Sequence, residues 1–280
     1  MKHSEGRFTG AGQCSIYFQC WEPESNPQAI LLVVHGAGEH SARYRSFAQF
    51  FTGYNYAVAA LDHQGHGNSD GIPGYVNAFE EYVFDLGHFH KLLKERYPNR
   101  PIFLVGHSMG GLIGSIYLAQ QERNVVGAIL SGPAIKTDLK PGTVQMLLLR
   151  LLAALLPRFG MLQLDANGVS RDPEVVRKYV EDPLVFHGKM SVRMVRELFV
   201  GMEQIEAAAA RITLPMLILH GGADVMTSPE GSRFLHQHIS SSDKTLKIYP
   251  GMYHEIFNEP ERTEVLTEVL NWCETRLEPT

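Results

Sequence analysis

IFLVGHSMGG, residues 102–111, joins a strand pattern to a helix pattern through a short glycine-rich turn. Residues 102–105 are all apolar, as in a strand buried on both faces of a sheet. Residues 106–110 then match G-x-S-x-G, and a helical pattern begins directly after them. A serine in this strand–turn–helix setting presents its hydroxyl on a sharp turn, whereas a serine in an ordinary glycine-rich turn needs no such flanks. The segment therefore predicts a nucleophile at Ser108.

The rest of the chain repeats the same alternation of strand and helix. Five further short apolar runs end at turn residues: 30–34, 56–61, 128–130, 216–219 and 246–249. Longer helical patterns lie between them, such as residues 80–97 and 112–121. Near-continuous apolar runs are typical of parallel strands whose two faces are both covered by helices. The alternation predicts a doubly wound α/β fold with a mostly parallel central sheet and helices on both faces.

Residues 136–211 interrupt this alternation, because they carry helix signals and no convincing strand. Asp172-Pro173-Glu174 is one such signal, with a capping oxygen, a proline at the first helical position and an acid facing the helix dipole. We interpret the region as a helical cap inserted into one sheet domain. The predicted units are the first part of the core, 1–135, the cap or lid, 136–211, and the second part of the core, 212–280.

The first cap helix, VQMLLLRLLAALL at residues 144–156, is apolar on every face. Such a helix is either buried in a large core or part of a lid whose outer face meets lipid. A third interpretation makes the cap a protein-binding surface. The candidate lid and acyl-tunnel residues are its leucines: Leu147, Leu148, Leu151, Leu152 and Leu155.

A serine hydroxyl becomes an effective nucleophile only when a base takes its proton, and the base needs an orienting acid. Asp224 follows the run at 216–219, and His254 follows the run at 246–249. Both lie in loops after strands, at the edge where open α/β sheets place their sites. An aspartate after a strand is also a common cap or turn residue. The chain order serine, aspartate, histidine nevertheless favours a catalytic triad of Ser108, Asp224 and His254.

The negative oxygen of a tetrahedral intermediate needs backbone N–H donors. Met109, which follows the nucleophile, supplies one of them. The glycine-rich loop after the first apolar run, residues 35–38, supplies the other, which we assign to Ala37. These two N–H groups are the predicted oxyanion hole.

Composition and charge exclude several other classes of protein. The 280 residues carry a net charge of −5 without a basic run, so nucleic acid is not an expected partner. The three cysteines form no CxxC pair and indicate no disulfide framework, which suits a reducing compartment. The histidines form no metal-ligand motif and no phosphate loop occurs, so we expect no metal and no cofactor.

The chain shows no pattern of a secretory leader or a membrane span. No apolar stretch follows Met1, and the most apolar segment, residues 144–156, is too short to cross a bilayer. We therefore expect a cytoplasmic protein whose contact with a membrane or micelle is peripheral and made through the cap.

These motifs and the blocks around them resemble the monoacylglycerol lipases of the serine α/β-hydrolase superfamily. The blocks are HGAGEHSARY (35–44), LDHQGHGNSDG (61–71), GHSMGG (106–111), DPL (182–184), LPMLILHGGAD (214–224) and DKTLKIYPGMYHEIFNE (243–259). They span most of the chain, with least similarity in the cap. The resemblance implies the α/β-hydrolase fold with a mobile apolar lid. It also implies the catalytic and oxyanion roles already given to these residues: Ser108, Asp224, His254, Ala37 and Met109.

The resemblance further implies where the alcohol part of the substrate binds. It associates Glu39 and Arg43, in the GEHSxR segment, with the glycerol end of the site. The alternative for this pair is a local ion pair that stabilises the loop. Mammalian members have a second histidine three residues after the catalytic one, where this chain has Phe257. This departure is expected to affect recognition of the alcohol.

The resulting expectation is a serine hydrolase that cleaves a monoacylglycerol to a fatty acid and glycerol through an acyl-enzyme on Ser108. A carboxylesterase or lysophospholipase with the same triad and a different acyl or alcohol preference is the alternative within the fold. A non-catalytic, ligand-binding homologue is the alternative from another class. The sequence leaves open the acyl length, the preference for the 1- or 2-ester and the oligomeric state.

Overall fold

The computed structural model describes residues 1–120, 124–137 and 142–277 and contains an eight-stranded sheet. The strands are β1 (Lys2–Thr9), β2 (Ser15–Glu22), β3 (Ala29–Val34), β4 (Tyr56–Leu61), β5 (Ile102–His107), β6 (Gly127–Ser131), β7 (Gly160–Leu162), β8 (Met190–Ser191), β9 (Met216–Gly221) and β10 (Lys244–Tyr249). The helices are α1 (Arg45–Gly53), α2 (Glu80–Arg96), α3 (Met109–Gln120), α4 (Thr143–Leu155), α5 (Pro173–Glu181), α6 (Val192–Ala208), α7 (Pro229–His238) and α8 (Arg262–Glu274).

The main sheet is parallel except at one edge. Its strand order is β1-β2-β4-β3-β5-β6-β9-β10, in which β1 and β2 pair antiparallel and the remaining strands run parallel to one another. These parallel strands are the six that the apolar runs predict, and the predicted α/β-hydrolase fold is confirmed. The sequence did not predict the edge strands β1 and β2. Exposed and half-buried residues alternate in β1, and polar residues interrupt the apolar ones in β2, so neither strand forms a continuous apolar run.

The two faces of the sheet carry two separate cores. Successive side chains of a strand point to opposite faces, so Leu104 packs in the core of α2, α3 and α6, whereas Phe103 and Val105 pack in the core of α1 and α8. Every residue of β3, β4, β5, β6 and β9 is buried. The carboxyl ends of these strands therefore form a rigid edge from which the site loops start.

In its described part, the segment between β6 and β9 adds no strand to the main sheet. It contains α4, α5, α6 and a small antiparallel pair, β7 and β8, which is a correction because we expected no strand there. Strands of three and two residues are too short for a periodic pattern. Asp172 caps α5 as predicted, since its Oδ1 accepts a hydrogen bond from the Glu174 N–H at 2.9 Å. The boundaries of the inserted segment at 136–211 stay a prediction. Of the predicted units, residues 121–123, 138–141 and 278–280 lie outside the described residues.

Helix α4 buries only a narrow side. Leu149 and Ala153 are buried and pack with Val192 at the start of α6. The leucines that the sequence singled out are between 38% and 70% exposed: Leu147, Leu148, Leu151, Leu152 and Leu155. Within the described ranges, no helix is both long and apolar enough to cross a membrane.

A buried carboxylate holds the hairpin of β1 and β2 against α2. Asp85 of α2 accepts a hydrogen bond from the Ala11 N–H at 2.6 Å, and Ala11 lies in the turn between the two strands. The Oδ2 of Asp85 has no hydrogen-bond partner in the described part of the chain. Burial raises the pKa of Asp85 to about 6, and nearby Glu81 adds to the shift.

We predict that Asp85→Asn changes the pH dependence of stability. A carboxyl whose pKa is higher in the folded state destabilises the protein as pH rises from its unfolded pKa, near 4, through its folded pKa. Asparagine does not ionise, so the variant does not lose stability in this way as pH rises. The difference in free energy of unfolding between variant and wild type should therefore shift in favour of the variant by about 2 kcal/mol between about pH 4 and about pH 7. Denaturant unfolding at several pH values measures the difference. Glu95→Gln, at an exposed position of the same helix, is the control; a pH slope for Asp85→Asn equal to that of the control would contradict the prediction.

Candidate active site

The turn after β5 holds Ser108 in a strained backbone conformation. Its φ of +53° lies in the left-handed region that residues other than glycine rarely occupy. The Ser108 carbonyl oxygen accepts hydrogen bonds from the Gly111 N–H at 3.0 Å and the Ala134 N–H at 2.9 Å. Such a conformation costs about 1–3 kcal/mol and persists because the surrounding bonds fix it. Ser108 thereby lines a cavity above the carboxyl edge of the sheet.

Two glycines allow β3, β5 and α3 to approach one another at this turn. A Cβ on Gly110 would lie 2.0 Å from the carbonyl oxygen of Val34, the last residue of β3. A Cβ on Gly106 would lie 2.8 Å from the Gly110 carbonyl oxygen. Because these neighbours are backbone atoms, a larger residue at either position would push α3 away from the sheet. Packing therefore requires both glycines of G-x-S-x-G.

His254 and Asp224 meet from two different loops. His254 Nδ1 lies 2.7 Å from Asp224 Oδ2, and both side chains are at most 4% exposed. The other carboxylate oxygen of Asp224 accepts hydrogen bonds from the N–H groups of Met226 and Thr227, at 2.8 and 3.0 Å. Although burial raises its pKa, hydrogen bonds from His220 and His254 hold the pKa of Asp224 well below its usual value. The ionised carboxylate selects the His254 tautomer that carries its proton on Nδ1.

The loop that carries His254 is also bonded to the segment between β7 and α5. The His254 N–H donates to the Gly168 carbonyl oxygen at 3.4 Å, and the Glu255 N–H donates to that of Val169 at 2.7 Å. Val169 lines the cavity as well. This segment therefore helps to position the histidine loop in addition to forming part of the cavity wall.

Two backbone N–H groups at the cavity are unpaired. Those of Ala37 and Met109 have no acceptor within the ranges that the structure describes. The neighbouring Gly36, in contrast, donates its N–H to Glu39 Oε1 at 2.7 Å. Ala37 and Met109 line the same cavity as the serine and the histidine. The structure thus brings the predicted nucleophile, base and oxyanion donors to one cavity, with the predicted acid hydrogen-bonded to the base.

The cavity has a volume of about 130 Å³, a mostly apolar wall and one polar end. Its apolar lining comes mainly from the segment between β6 and β9: Leu162, Leu164, Met190, Val195, Leu198, Phe199 and Met202. Glu39, His107 and Glu255 form what we call its polar end, and Lys136, Thr137, Tyr179 and Thr227 line it as well. A Cβ on Gly36 would lie within 3.3 Å of Ser108, Glu39 and His107, so these three side chains adjoin.

The leucines of α4 do not line this cavity. Those predicted as acyl-tunnel residues lie instead on the exposed side of the helix: Leu147, Leu148, Leu151, Leu152 and Leu155. A helix that is apolar on every face gives no periodic signal for its inner side, so the sequence could not separate inward from outward leucines. The apolar wall is therefore formed by other residues of the same segment, and the lid assignment of these leucines stays a prediction.

A buried ion cluster lies behind the polar end of the cavity. Arg43 donates to both oxygens of Glu255, at 2.6 and 2.8 Å, and to Glu39 Oε2 at 3.0 Å. All three side chains are at most 10% exposed. Burial opposes charge in this cluster, yet Arg43 lowers the pKa of Glu255, and the two carboxylates raise the pKa of Arg43. Glu39 thus reaches the cavity wall, whereas Arg43 stands behind it as the shared partner of two carboxylates.

Phe257 adjoins this cluster and does not line the main cavity. Its ring packs against Phe47, with ring centroids 5.3 Å apart, and is 7% exposed. It lines a side cavity of about 10 Å³, which has room for about one water. Phe257 is therefore a core aromatic residue, and Glu255 presents the polar group of this loop to the main cavity.

Sequence reasoning missed several residues around the site. Glu255 directly follows His254, so its place in the histidine loop could have drawn attention to it. Tyr179 of α5 covers Arg43, whose guanidinium carbon lies 4.6 Å from the ring centroid. The ring of His107 lies 4.6 Å from that of His254. No local pattern connects these residues, because they come from elements far apart in the chain.

Comparison with known proteins agrees with this geometry. The family described as serine aminopeptidase, S33, matches residues 25–261. The chain is 38% identical to the monoacylglycerol lipase of Mycolicibacterium smegmatis over 274 residues, which cover 98% of both proteins. It is 36% identical to the monoglyceride lipase of Rattus norvegicus, over 94% of this chain and 88% of the rat protein. The crystal structure of Paleococcus ferrophilus monoacylglycerol lipase, 31% identical, gives a TM-score of 0.81 and covers 99% of this chain and 100% of the other.

We predict that Gly110→Ala destabilises the protein and lowers ester hydrolysis with it, because the new methyl group would lie 2.0 Å from the Val34 carbonyl oxygen. The expected loss in the free energy of unfolding is about 2–3 kcal/mol. Gly53→Ala, at the end of α1, is the matched control, since a Cβ there meets nothing within 4 Å. Denaturant unfolding of both variants measures the difference, and equal stabilities would disprove the packing argument.

Proposed function

The chain belongs to the monoacylglycerol lipase family of serine α/β-hydrolases, and from that premise we propose that it cleaves monoacylglycerols to a fatty acid and glycerol through an acyl-enzyme on Ser108. One observation carries the proposal. A serine on a left-handed turn shares a largely apolar cavity with a histidine that is hydrogen-bonded to a buried carboxylate, and two unpaired N–H groups adjoin it.

In the acylation step, the Ser108 oxygen attacks the ester carbonyl carbon while His254 Nε2 takes the hydroxyl proton. Asp224 holds the ring through Nδ1 and stabilises the imidazolium that forms. The Ala37 and Met109 N–H groups bind the negative oxygen of the tetrahedral intermediate. When the intermediate collapses, the bond from carbon to the glycerol oxygen breaks, and glycerol leaves with the proton from His254.

In the deacylation step, a water molecule takes the place of glycerol. His254 accepts one of its protons as its oxygen attacks the acyl carbon. The same N–H groups stabilise the second tetrahedral intermediate, which collapses with the proton returning from His254 to the Ser108 oxygen. A fatty acid is released and the enzyme regains its initial state.

The two ends of the cavity suit the two parts of the substrate. The apolar wall formed by residues such as Leu164, Leu198 and Phe199 would hold the acyl chain. At the other end, the carboxylates of Glu39 and Glu255 would accept hydrogen bonds from glycerol hydroxyl groups. Arg43 acts there through the carboxylates that it holds, because it does not line the main cavity.

This polar end favours a neutral alcohol over a substrate with a free amino group. An ammonium group binds well only where a buried carboxylate is available to compensate its charge. Glu39 and Glu255 already share the Arg43 guanidinium at 3.0 Å or less. A bound ammonium would therefore lie close to an existing cation. The polar end therefore favours ester hydrolysis over aminopeptidase activity, although the matching family is described as serine aminopeptidase.

Substrate preference tests the proposal directly. Fatty-acid release is measured from matched long-chain mono-, di- and triacylglycerols, from a short-chain ester and from a lysophospholipid. We expect monoacylglycerol to be hydrolysed fastest. A preference for the short-chain ester or the lysophospholipid would keep the mechanism and overturn the substrate assignment.

We predict that Ser108→Ala loses ester hydrolysis by about 10⁴-fold or more, because the acyl-enzyme can no longer form. The variant should remain folded, since the hydrogen bonds that fix the turn are made by its backbone. Steady-state hydrolysis and thermal unfolding are measured together, and a fluorophosphonate probe should label wild type only. Hydrolysis near the wild-type rate in the folded variant would overturn the choice of nucleophile.

For the outer face of α4 we propose peripheral contact with a membrane or micelle. Leu147, Leu151 and Leu155 are between 54% and 70% exposed, and the nearby Phe159 and Met161 are 59% and 52% exposed. Clustered apolar side chains of this kind mark interaction surfaces. Because the proposed substrate is a lipid, a surface that contacts lipid would bring the cavity close to it.

We predict that replacing Leu147 and Leu151 together by serine weakens binding to phospholipid vesicles by about tenfold or more, since two leucine side chains no longer leave water. Hydrolysis of a short-chain ester in solution should stay unchanged, because neither side chain lines the cavity. Vesicle co-sedimentation measures the binding. Phe84→Ser is the control, as Phe84 is an exposed apolar residue, 52% exposed, on α2. Unchanged vesicle binding by the double variant would rule out the proposed contact.

A further inference from the structure

We infer that His220 is a positioning residue for the proposed triad, which donates a hydrogen bond to Asp224 and fixes that carboxylate against His254. The inference rests on the proposed function. His220 is the fifth residue of β9, and its side chain is fully buried. Its Nε2 lies 3.1 Å from Asp224 Oδ2, the same oxygen that His254 Nδ1 approaches at 2.7 Å.

The surroundings of His220 assign its tautomer. Besides Asp224, its Nε2 faces the Thr227 carbonyl oxygen at 3.3 Å and the Thr227 hydroxyl oxygen at 3.4 Å. The carboxylate and the carbonyl only accept hydrogen bonds, and the Thr227 hydroxyl donates to Asp224 Oδ2 at 2.9 Å. The Nδ1 of His220 lies 2.7 Å from the hydroxyl of Ser232 on α7, which is buried as well. A neutral imidazole offers one donor and one acceptor. The proton therefore belongs on Nε2, while the Ser232 hydroxyl donates to Nδ1.

The hydrogen bond from His220 affects both the geometry and the charge of the carboxylate. Asp224 Oδ1 is held by two backbone N–H groups, so without His220 the position of Oδ2 would depend on His254 and the Thr227 hydroxyl, which is 2.9 Å away. A second imidazole donor fixes the carboxylate plane when His254 changes its protonation state. It also disperses negative charge that would otherwise stabilise the His254 imidazolium.

The other ionisable groups near the triad are His107, Glu39, Glu255 and Arg43. His107 at the end of β5 faces the His254 ring at a centroid distance of 4.6 Å. Glu39 and Glu255 line the same cavity as His107 and are paired with Arg43. Within the described ranges, none of these four residues forms a hydrogen bond with His220. Substitutions at His220 therefore leave the contacts among the four residues in place.

The experiment compares His220→Phe, which removes both ring nitrogens, with His220→Gln, which keeps an N–H donor. The pH profile of kcat/KM is measured with a water-soluble short-chain ester. For His220→Phe we expect kcat to fall about tenfold with KM nearly unchanged. We also expect the acid limb of the kcat/KM profile of this variant, where His254 takes up a proton, to move to higher pH by about half a unit. The reason is that the negative charge of Asp224 is less dispersed without the His220 donor. His220→Gln should recover most of the rate and return the limb toward wild type.

Ser232→Ala provides a second test that retains the ring. Without the Ser232 hydroxyl, Nδ1 of His220 loses its hydrogen-bond donor, so the preference for the Nε2–H tautomer weakens. The acid limb should therefore move to higher pH, as in His220→Phe, but by a smaller amount. This variant decides the question if His220→Phe does not fold. An acid limb that stays in place in the variants that fold, or His220→Gln as impaired as His220→Phe, would mean that His220 only fills space. A wild-type protein without ester hydrolysis would instead overturn the proposed function.

Discussion

The close approach of α3 to the ends of β3 and β5 is the constraint on which the site depends. It exists only because Gly106 and Gly110 carry no side chain, since a Cβ at either position would collide with backbone. The same approach forces Ser108 into a left-handed conformation and brings the start of α3 beside the loop after β3. The nucleophile and both proposed oxyanion donors are thus positioned by one contact between backbones. Side chains then complete a geometry that the main chain has already set.

Buried charge connects this rigid edge to the loops around it. An ion inside a protein is tolerated when neighbouring groups compensate it. Asp224 meets that condition through backbone N–H groups and two histidines, and Arg43 meets it through two carboxylates. Because Arg43 follows β3 and Glu255 follows β10, their bond joins loops from distant parts of the chain. The compensation of each charge therefore also fixes the relative position of the loops that carry it.

The sequence predicts what short-range patterns encode. Short apolar runs, five of them nearly continuous, identify the six parallel strands. The order of Ser108, Asp224 and His254 after three of these runs identifies residues that the structure brings together at one edge. Features that depend on distant contacts leave no such pattern. The bond from Arg43 to Glu255 spans 212 positions of the chain, and only the folded sheet brings the two together. The inward side of α4 is equally hidden, because every side of that helix is apolar.

The hydrogen bonds from His254 and Glu255 to the carbonyl groups of Gly168 and Val169 have a consequence for redesign of the enzyme. Exchanging the segment between β6 and β9 for that of a relative is an obvious route to a new acyl preference, since this segment supplies most of the apolar wall. A graft that replaces the turn at Gly168 also replaces the backbone acceptors that hold the loop of the proposed base. Chimeras should therefore exchange α4 and α6 and retain the parental turn, so that substrate range changes without disturbing the chemistry.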